Sequence, residues 1–139
     1  MLDRGVFVKT ILFACTQNAG RSQIAAALFN KLADPKKAKA ISAGTHPVKS
    51  VHKNVILALQ KIGINLTHAV PVLLTKELAS QANLLVTMGC KESCPHIPGL
   101  KLEEWDIEDV EGKSTEETVE IQKKIEMQVR ELIYRINTI

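Results

Sequence analysis

The sequence holds no apolar run long enough to cross a bilayer, and it is poor in aromatics, with one Trp, one Tyr and three Phe in 139 residues. The first absence excludes a helical membrane span, so no membrane partner is expected. The second argues against the stacking platforms that grip single-stranded nucleic acid. An excess of one charge is also missing: 18 basic residues stand against 15 acidic ones, a formal net charge of +3. That is too mild to imply nucleic acid, although it suits a small anionic ligand. Cysteines are few and odd in number, three in all. This fits working thiols in a reducing cytoplasm better than a secreted disulfide framework. Leu12-Phe13-Ala14-Cys15 has the outline of a lipoprotein cleavage site, but Lys9 splits the stretch 6–13 and leaves too short an apolar region for a signal peptide. Repeats, linkers and low-complexity segments are lacking too. With 45% apolar and 24% charged residues, 1–139 reads as one ordinary globular domain.

What is present is an alternation of strand and helix patterns. Val6–Ala14 is a compact run of β-formers and predicts a buried strand. Ile24, Ala25, Leu28, Phe29 and Leu32 recur at helical spacing over Arg21–Leu32, and Asp34-Pro35 stops that helix. Ala38–Ala43 is a short strand closed by Gly44. Val51, Val55, Ile56, Leu59 and Ile62 share one face of a second helix ended by Gly63. Leu73–Ala82 predicts a short helix with Thr75 as its cap, Asn83–Met88 a third strand, and Leu102–Ile107 a fourth. Ser114-Thr115-Glu116-Glu117 is a capping box opening a long last helix, with Val119, Ile121, Ile125, Val129, Leu132, Ile133 and Ile136 at apolar positions. The fold expected from this order is α/β: a three-layer sandwich in which a four-stranded parallel sheet is flanked by helices on both faces. Right-handed crossovers would bring the carboxyl ends of its strands to one edge, where such sheets bind ligands.

That edge collects the unusual residues. Cys15 to Arg21 leaves the first strand, Thr45 and His46 the second, Cys90 and Cys94 the third, and Asp109 follows the fourth. A tight turn between strand and helix aims successive main-chain N–H groups at one spot, an anion nest reinforced by the helix dipole. Arg21 adds a planar fork of donors matched to two oxygens of a phosphate-like anion. A thiol at the start of such a nest ionises readily, so Cys15 is expected to be a nucleophilic thiolate. The competing reading is a buried strand-end cysteine beside a surface arginine. Gly89–Gly99 carries two prolines, two glycines and two cysteines and predicts a loop. Cys90 and Cys94 in it are open to a redox pair, to two inert thiols, or to a zinc site with His96 that lacks a fourth ligand nearby. Asp109 sits in a polar loop as either a general acid or a plain turn residue. His46, His52, His68 and His96 are scattered and read as structural or exposed, and Trp105 as packing.

Cys15-Thr16-Gln17-Asn18-Ala19-Gly20-Arg21-Ser22-Gln23 resembles the phosphate-binding loop of the low-molecular-weight tyrosine phosphatase superfamily, and its arsenate reductase branch in particular. Ser42-Ala43-Gly44-Thr45, Val86-Thr87-Met88-Gly89-Cys90 with Cys94-Pro95, and the segment Trp105 through Lys113 are similar to further segments of that branch, in the same order. The resemblance implies Cys15 as nucleophile toward arsenate, with Thr16, Gln17, Asn18, Ala19, Gly20, Arg21 and Ser22 holding the oxyanion, arsenate or phosphate. Ser22 would hydrogen-bond the thiolate, Asn18 would brace the loop and Asp109 would be the general acid. Cys90 would attack the adduct and Cys94 would close a disulfide with it, for reduction by thioredoxin, glutaredoxin or a small thiol. A cytoplasmic monomer without metal or cofactor is expected. In this family a proline commonly follows the acid, where Val110 stands, and the two loop cysteines are often further apart. The same loop without the two later cysteines would serve a tyrosine phosphatase.

Overall fold

The computed structural model of the chain describes residues 8–90, 94 and 96–137. Val6 and Phe7 of the expected first strand and Pro95 of the expected loop lie outside them. Four strands, β1 (Lys9–Cys15), β2 (Ala38–Gly44), β3 (Leu84–Thr87) and β4 (Lys101–Glu104), form one parallel sheet in the order β2-β1-β3-β4. The helices are α1 (Arg21–Leu32), α2 (Lys53–Gln60), α3 (Lys76–Ala79) and α4 (Thr115–Asn137). Alternation along β1 divides the core in two. Ile11, Phe13 and Cys15 face a large cluster built from α1, α2 and α4, with Phe29, Leu59 and Ile125 fully buried in it. Leu12 and Ala14 face a smaller one made with Leu74, Ala79 of α3, Leu85 and Cys90. Helices therefore lie on both faces, as the alternating order requires, but unequally.

Local chemistry explains the element ends. Ser114 Oγ accepts from the Glu117 amide while Glu117 Oε1 accepts from the Ser114 amide, so the capping box at the start of α4 is closed. Thr75 Oγ1 accepts from the Leu78 amide and starts α3. That helix is only four residues long, shorter than the expected 73–82. Leu73 is taken by an isolated bridge to Gly44, with Gly44 N donating to Val72 O and Leu74 N to Gly44 O. At the other end, Asn83 leaves the helix to exchange hydrogen bonds with Thr10 through its amide and its Oδ1. The fourth strand runs Lys101–Glu104 and ends short of the expected Ile107: the Trp105 N to Thr87 O bond is the last rung of its pairing with β3, which itself stops at Thr87. Trp105 packs on Phe13 with ring centroids 5.5 Å apart, a core role as expected.

Glu103 ties β4 to α4. It accepts two bonds from the Arg135 guanidinium, at 2.7 and 3.1 Å, and one from Trp105 Nε1 at 2.8 Å. The Arg135 hydrogen bond, with that of Trp105 added, holds the carboxyl below the usual glutamate range. A carboxyl depressed on folding contributes stability above its unfolded value, near ~4.3, and loses it as pH falls through the folded value. Glu103→Gln is therefore expected to cost about 0.5–1 kcal/mol at pH 7 and progressively less toward pH 3, as paired thermal melts at the two pH values would show.

Candidate active site

Parallel pairing sets the geometry of the carboxyl edge. Cys15 is the last residue of β1, opposite Gly44, and Arg21 is the first of α1, so five residues span strand to helix. The turn is made at Asn18, whose φ of 52° is left-handed, a conformation asparagine tolerates better than most residues. The loop lies so close to the end of β2 that a Cβ on Gly44 would stand 2.6 Å from Thr16 O and 2.8 Å from Asn18 N. None of the main-chain N–H groups from Thr16 to Arg21 donates to another described residue. A ring of free donors at a helix start is what an oxyanion needs.

A polar chain beneath the loop fixes where protons sit. Asn18 Oδ1 accepts from the main-chain amide of Val72 at 2.9 Å, a group that can only donate, so the other branch of the amide must be the nitrogen. That Nδ2 donates to Ser22 Oγ at 2.7 Å. The hydroxyl hydrogen of Ser22 is then free to point at Cys15 Sγ, 2.9 Å away. Gln23 Nε2 steadies the asparagine from below through Asn18 O and Oδ1. This hydroxyl holds the sulfur in place at the floor of the loop. Ser22→Ala is expected to lower kcat about ten- to a hundredfold with KM little changed, and to slow alkylation of Cys15 by iodoacetamide.

Cys15 is only 3% exposed, yet it opens into a small pocket that Thr16, Gln17, Gly20, Arg21, His52 and Asp109 also line. The structure thus brings Cys15, Arg21 and Asp109 together. Arg21 donates from Nη1 to Ile107 O at 2.9 Å, and its Nη2 lies 3.8 Å from Asp109 Oδ2. Its Nε is buried and has no partner among the described residues, a charged donor that an oxyanion in the pocket would satisfy. Asp109 is 53% exposed and braces its loop by accepting from Glu111 N at 3.1 Å. Val110, which follows Asp109 where the resemblance leads to an expectation of proline, is fully buried, and its Cγ2 would lie 2.4 Å from a Cβ on Gly20. Asn54 Nδ2 contacts Val110 O, Lys113 O and Thr118 Oγ1, which pins the acid loop to α2 and α4. Buried packing and this anchor position Asp109 without a ring.

The sequence reading missed His52. It stands at the N-cap of α2, its amide donates to Ala19 O, and Nε2 lies 3.1 Å from Gln17 Oε1. Gln17 Nε2 in turn reaches Glu111 Oε2 at 3.4 Å, linking the anion loop to the acid loop across the pocket mouth. The available signal was topological: a helix that follows a strand's carboxyl end begins at the ligand edge. The other three histidines are exposed.

Cys90 and Cys94 are joined by a disulfide with Cα atoms 5.5 Å apart, a pairing that fits the redox alternative for this loop and leaves neither sulfur a free metal ligand. Cys90 is buried with Leu12 and Ala14, whereas Cys15 is buried with Ile11 and Phe13, so the two sulfurs belong to different packing clusters. The base of the redox loop nevertheless touches the anion loop: Thr16 Oγ1 donates to Gly89 O at 3.3 Å, and Met88 N to Ala14 O at 2.8 Å.

With this geometry in hand, comparison with known proteins adds the following. The family model for low molecular weight phosphotyrosine protein phosphatase matches residues 10–138. Among curated proteins, arsenate reductase 1 of Staphylococcus epidermidis is 31% identical, the alignment covering 92% of this chain and 98% of that one. A putative arsenate reductase of Halobacterium salinarum is 27% identical over 90% and 91% of the two chains. Among solved structures, a thioredoxin-dependent arsenate reductase of Corynebacterium glutamicum superposes with a TM-score of 0.83 at 35% identity, over 96% of this chain. The chain spans 64% of the length of that structure.

Proposed function

Since the chain belongs to the low molecular weight phosphotyrosine protein phosphatase family, we propose that it is an arsenate reductase, in which a phosphatase-type loop forms the adduct and the Cys90–Cys94 pair resolves it. The Cys15 thiolate attacks arsenic in the nest, and the displaced hydroxyl leaves as water with a proton from Asp109. The main-chain donors of 16–21 and the Arg21 guanidinium hold the remaining oxygens as charge builds on them. Cys90, as thiolate, attacks Cys15 Sγ. The S–As pair passes to arsenic, arsenite departs, and a Cys15–Cys90 disulfide remains. Cys94 then attacks Cys90 Sγ, freeing the Cys15 thiolate and leaving the Cys90–Cys94 disulfide. An external dithiol protein such as thioredoxin or glutaredoxin, or a small thiol, returns that pair to thiols. With the disulfide closed, Cys90 is bonded to Cys94 and packs in a different cluster from Cys15, so the redox loop must change conformation within the cycle.

The observation that carries this reading is the disulfide beginning one residue after Gly89, which touches the anion loop. A phosphatase hydrolyses its cysteine adduct with water and has no use for that pair. No helix among the described residues is long and apolar enough to cross a membrane. Action in the cytoplasm as a monomer belongs to the same proposal. Mass spectrometry of fully reduced protein after one turnover with arsenate tests it. Arsenite with a Cys90–Cys94 disulfide is expected. No arsenite with any of the three donor classes, alongside efficient hydrolysis of a phosphotyrosine peptide, would assign the chain to phosphatase chemistry instead.

A further inference from the structure

Gly89 sits where the redox loop leaves β3, and the space its missing side chain would fill is occupied. A Cβ there would stand 2.5, 2.8 and 2.9 Å from Nη1, Nη2 and Cζ of Arg21. Real Cβ atoms do not come so near, and the guanidinium is not free to swing aside: Nη1 is tied to Ile107 O and Nη2 faces Asp109. The carbonyl of the same residue accepts from Thr16 Oγ1. One residue therefore contacts both ends of the 16–21 loop and also precedes Cys90. We propose that Gly89 is a positioning residue for oxyanion binding: the bare Cα of the redox loop leaves the room that the Nη edge of the Arg21 guanidinium occupies, with its unpartnered Nε held for the anion. The proposal rests on the reading of the 15–22 loop as the oxyanion site.

Gly89 also has a φ of +88°, which by itself favours glycine, so the two demands must be separated. Asparagine accepts left-handed backbone better than alanine but still carries a Cβ. Calorimetric titration of inorganic phosphate into wild-type, Gly89→Ala and Gly89→Asn proteins distinguishes them, and phosphate binding needs no turnover. Both variants are expected to bind phosphate about tenfold more weakly or worse, roughly one charge-assisted hydrogen bond, while their reduced Cys90 and Cys94 still close with oxidised dithiothreitol. Wild-type affinity in Gly89→Asn would show that only backbone conformation matters and would overturn the proposal. So would a folded variant whose thiols no longer close, since that is damage to the whole loop. A measurement on the wild type stands even where a variant does not fold. In a phosphate titration followed by NMR, the Arg21 Nε–H and the Gly89 amide are expected to shift together with one dissociation constant. A Gly89 amide that stays still while Arg21 moves sinks the idea. Phosphate bound but arsenate unreduced would remove the reductase reading and leave this one standing, whereas no phosphate binding by the wild type overturns it.

Discussion

Replacing Cys15 by serine is expected to abolish arsenate reduction and aryl phosphate hydrolysis together, each by about ten-thousandfold or more. A serine hydroxyl stays protonated where a thiol ionises, and the Asn18–Ser22 chain supplies a donor to the nucleophile, not a base that could activate an alcohol. Oxyanion binding should survive, because the free main-chain donors and Arg21 are untouched. Phosphate is therefore predicted to bind Cys15→Ser within a fewfold of wild type. Cys90→Ser separates the two chemistries. Arsenate turnover with a dithiol protein should fall about a thousandfold, with the arsenic adduct stranded on Cys15, while slow aryl phosphate hydrolysis continues. Arsenite release by chromatography and nitrophenol release by absorbance give the four rates. Equal loss of both activities in Cys90→Ser would mean that Cys90 supports the loop's structure and not the second half of the reaction.

Much of this site is legible in the sequence because its constraints are local. The bounds of α1 match the expected Arg21–Leu32 because glycine precedes it and Asp34-Pro35 follows. Cys15 can be placed at a strand end because an apolar run stops there, and the anion loop follows from strand–turn–helix order alone. Tertiary competition set the rest. Leu73 had helical neighbours but was captured by Gly44, and the expected fourth strand ends early because β3, its pairing partner, stops at Thr87. His52 looked like one of four scattered histidines, since only the packing of α2 against the anion loop brings it to the pocket that Cys15 also lines. Topology put the three cysteines on one edge, but which packing cluster each joins is a tertiary outcome that periodicity does not encode. Gly89 itself read as an ordinary loop glycine. Its close approach to Arg21 joins residues 68 positions apart.

Arg21→Lys is expected to lower kcat/KM for arsenate about a hundred- to a thousandfold, more than its conserved charge suggests. The guanidinium has three jobs that one ammonium cannot share: Nη1 is spent on Ile107 O, Nη2 faces Asp109, and Nε is left for the anion. Lysine has no second and third nitrogen to divide among these partners, so its amine would follow the nearest acceptors, Ile107 O or the Asp109 carboxylate, and leave the pocket. A carboxylate freed from arginine also turns its charge on the incoming anion. The loss should therefore appear first in KM for arsenate and in the phosphate dissociation constant, and only secondarily in kcat. Adding Asp109→Asn to Arg21→Lys provides the check. If the misplaced amine is held by that carboxylate, the second change should recover part of the phosphate affinity. If affinity falls further, Asp109 was helping the anion to bind, and the arginine's contribution is simple charge.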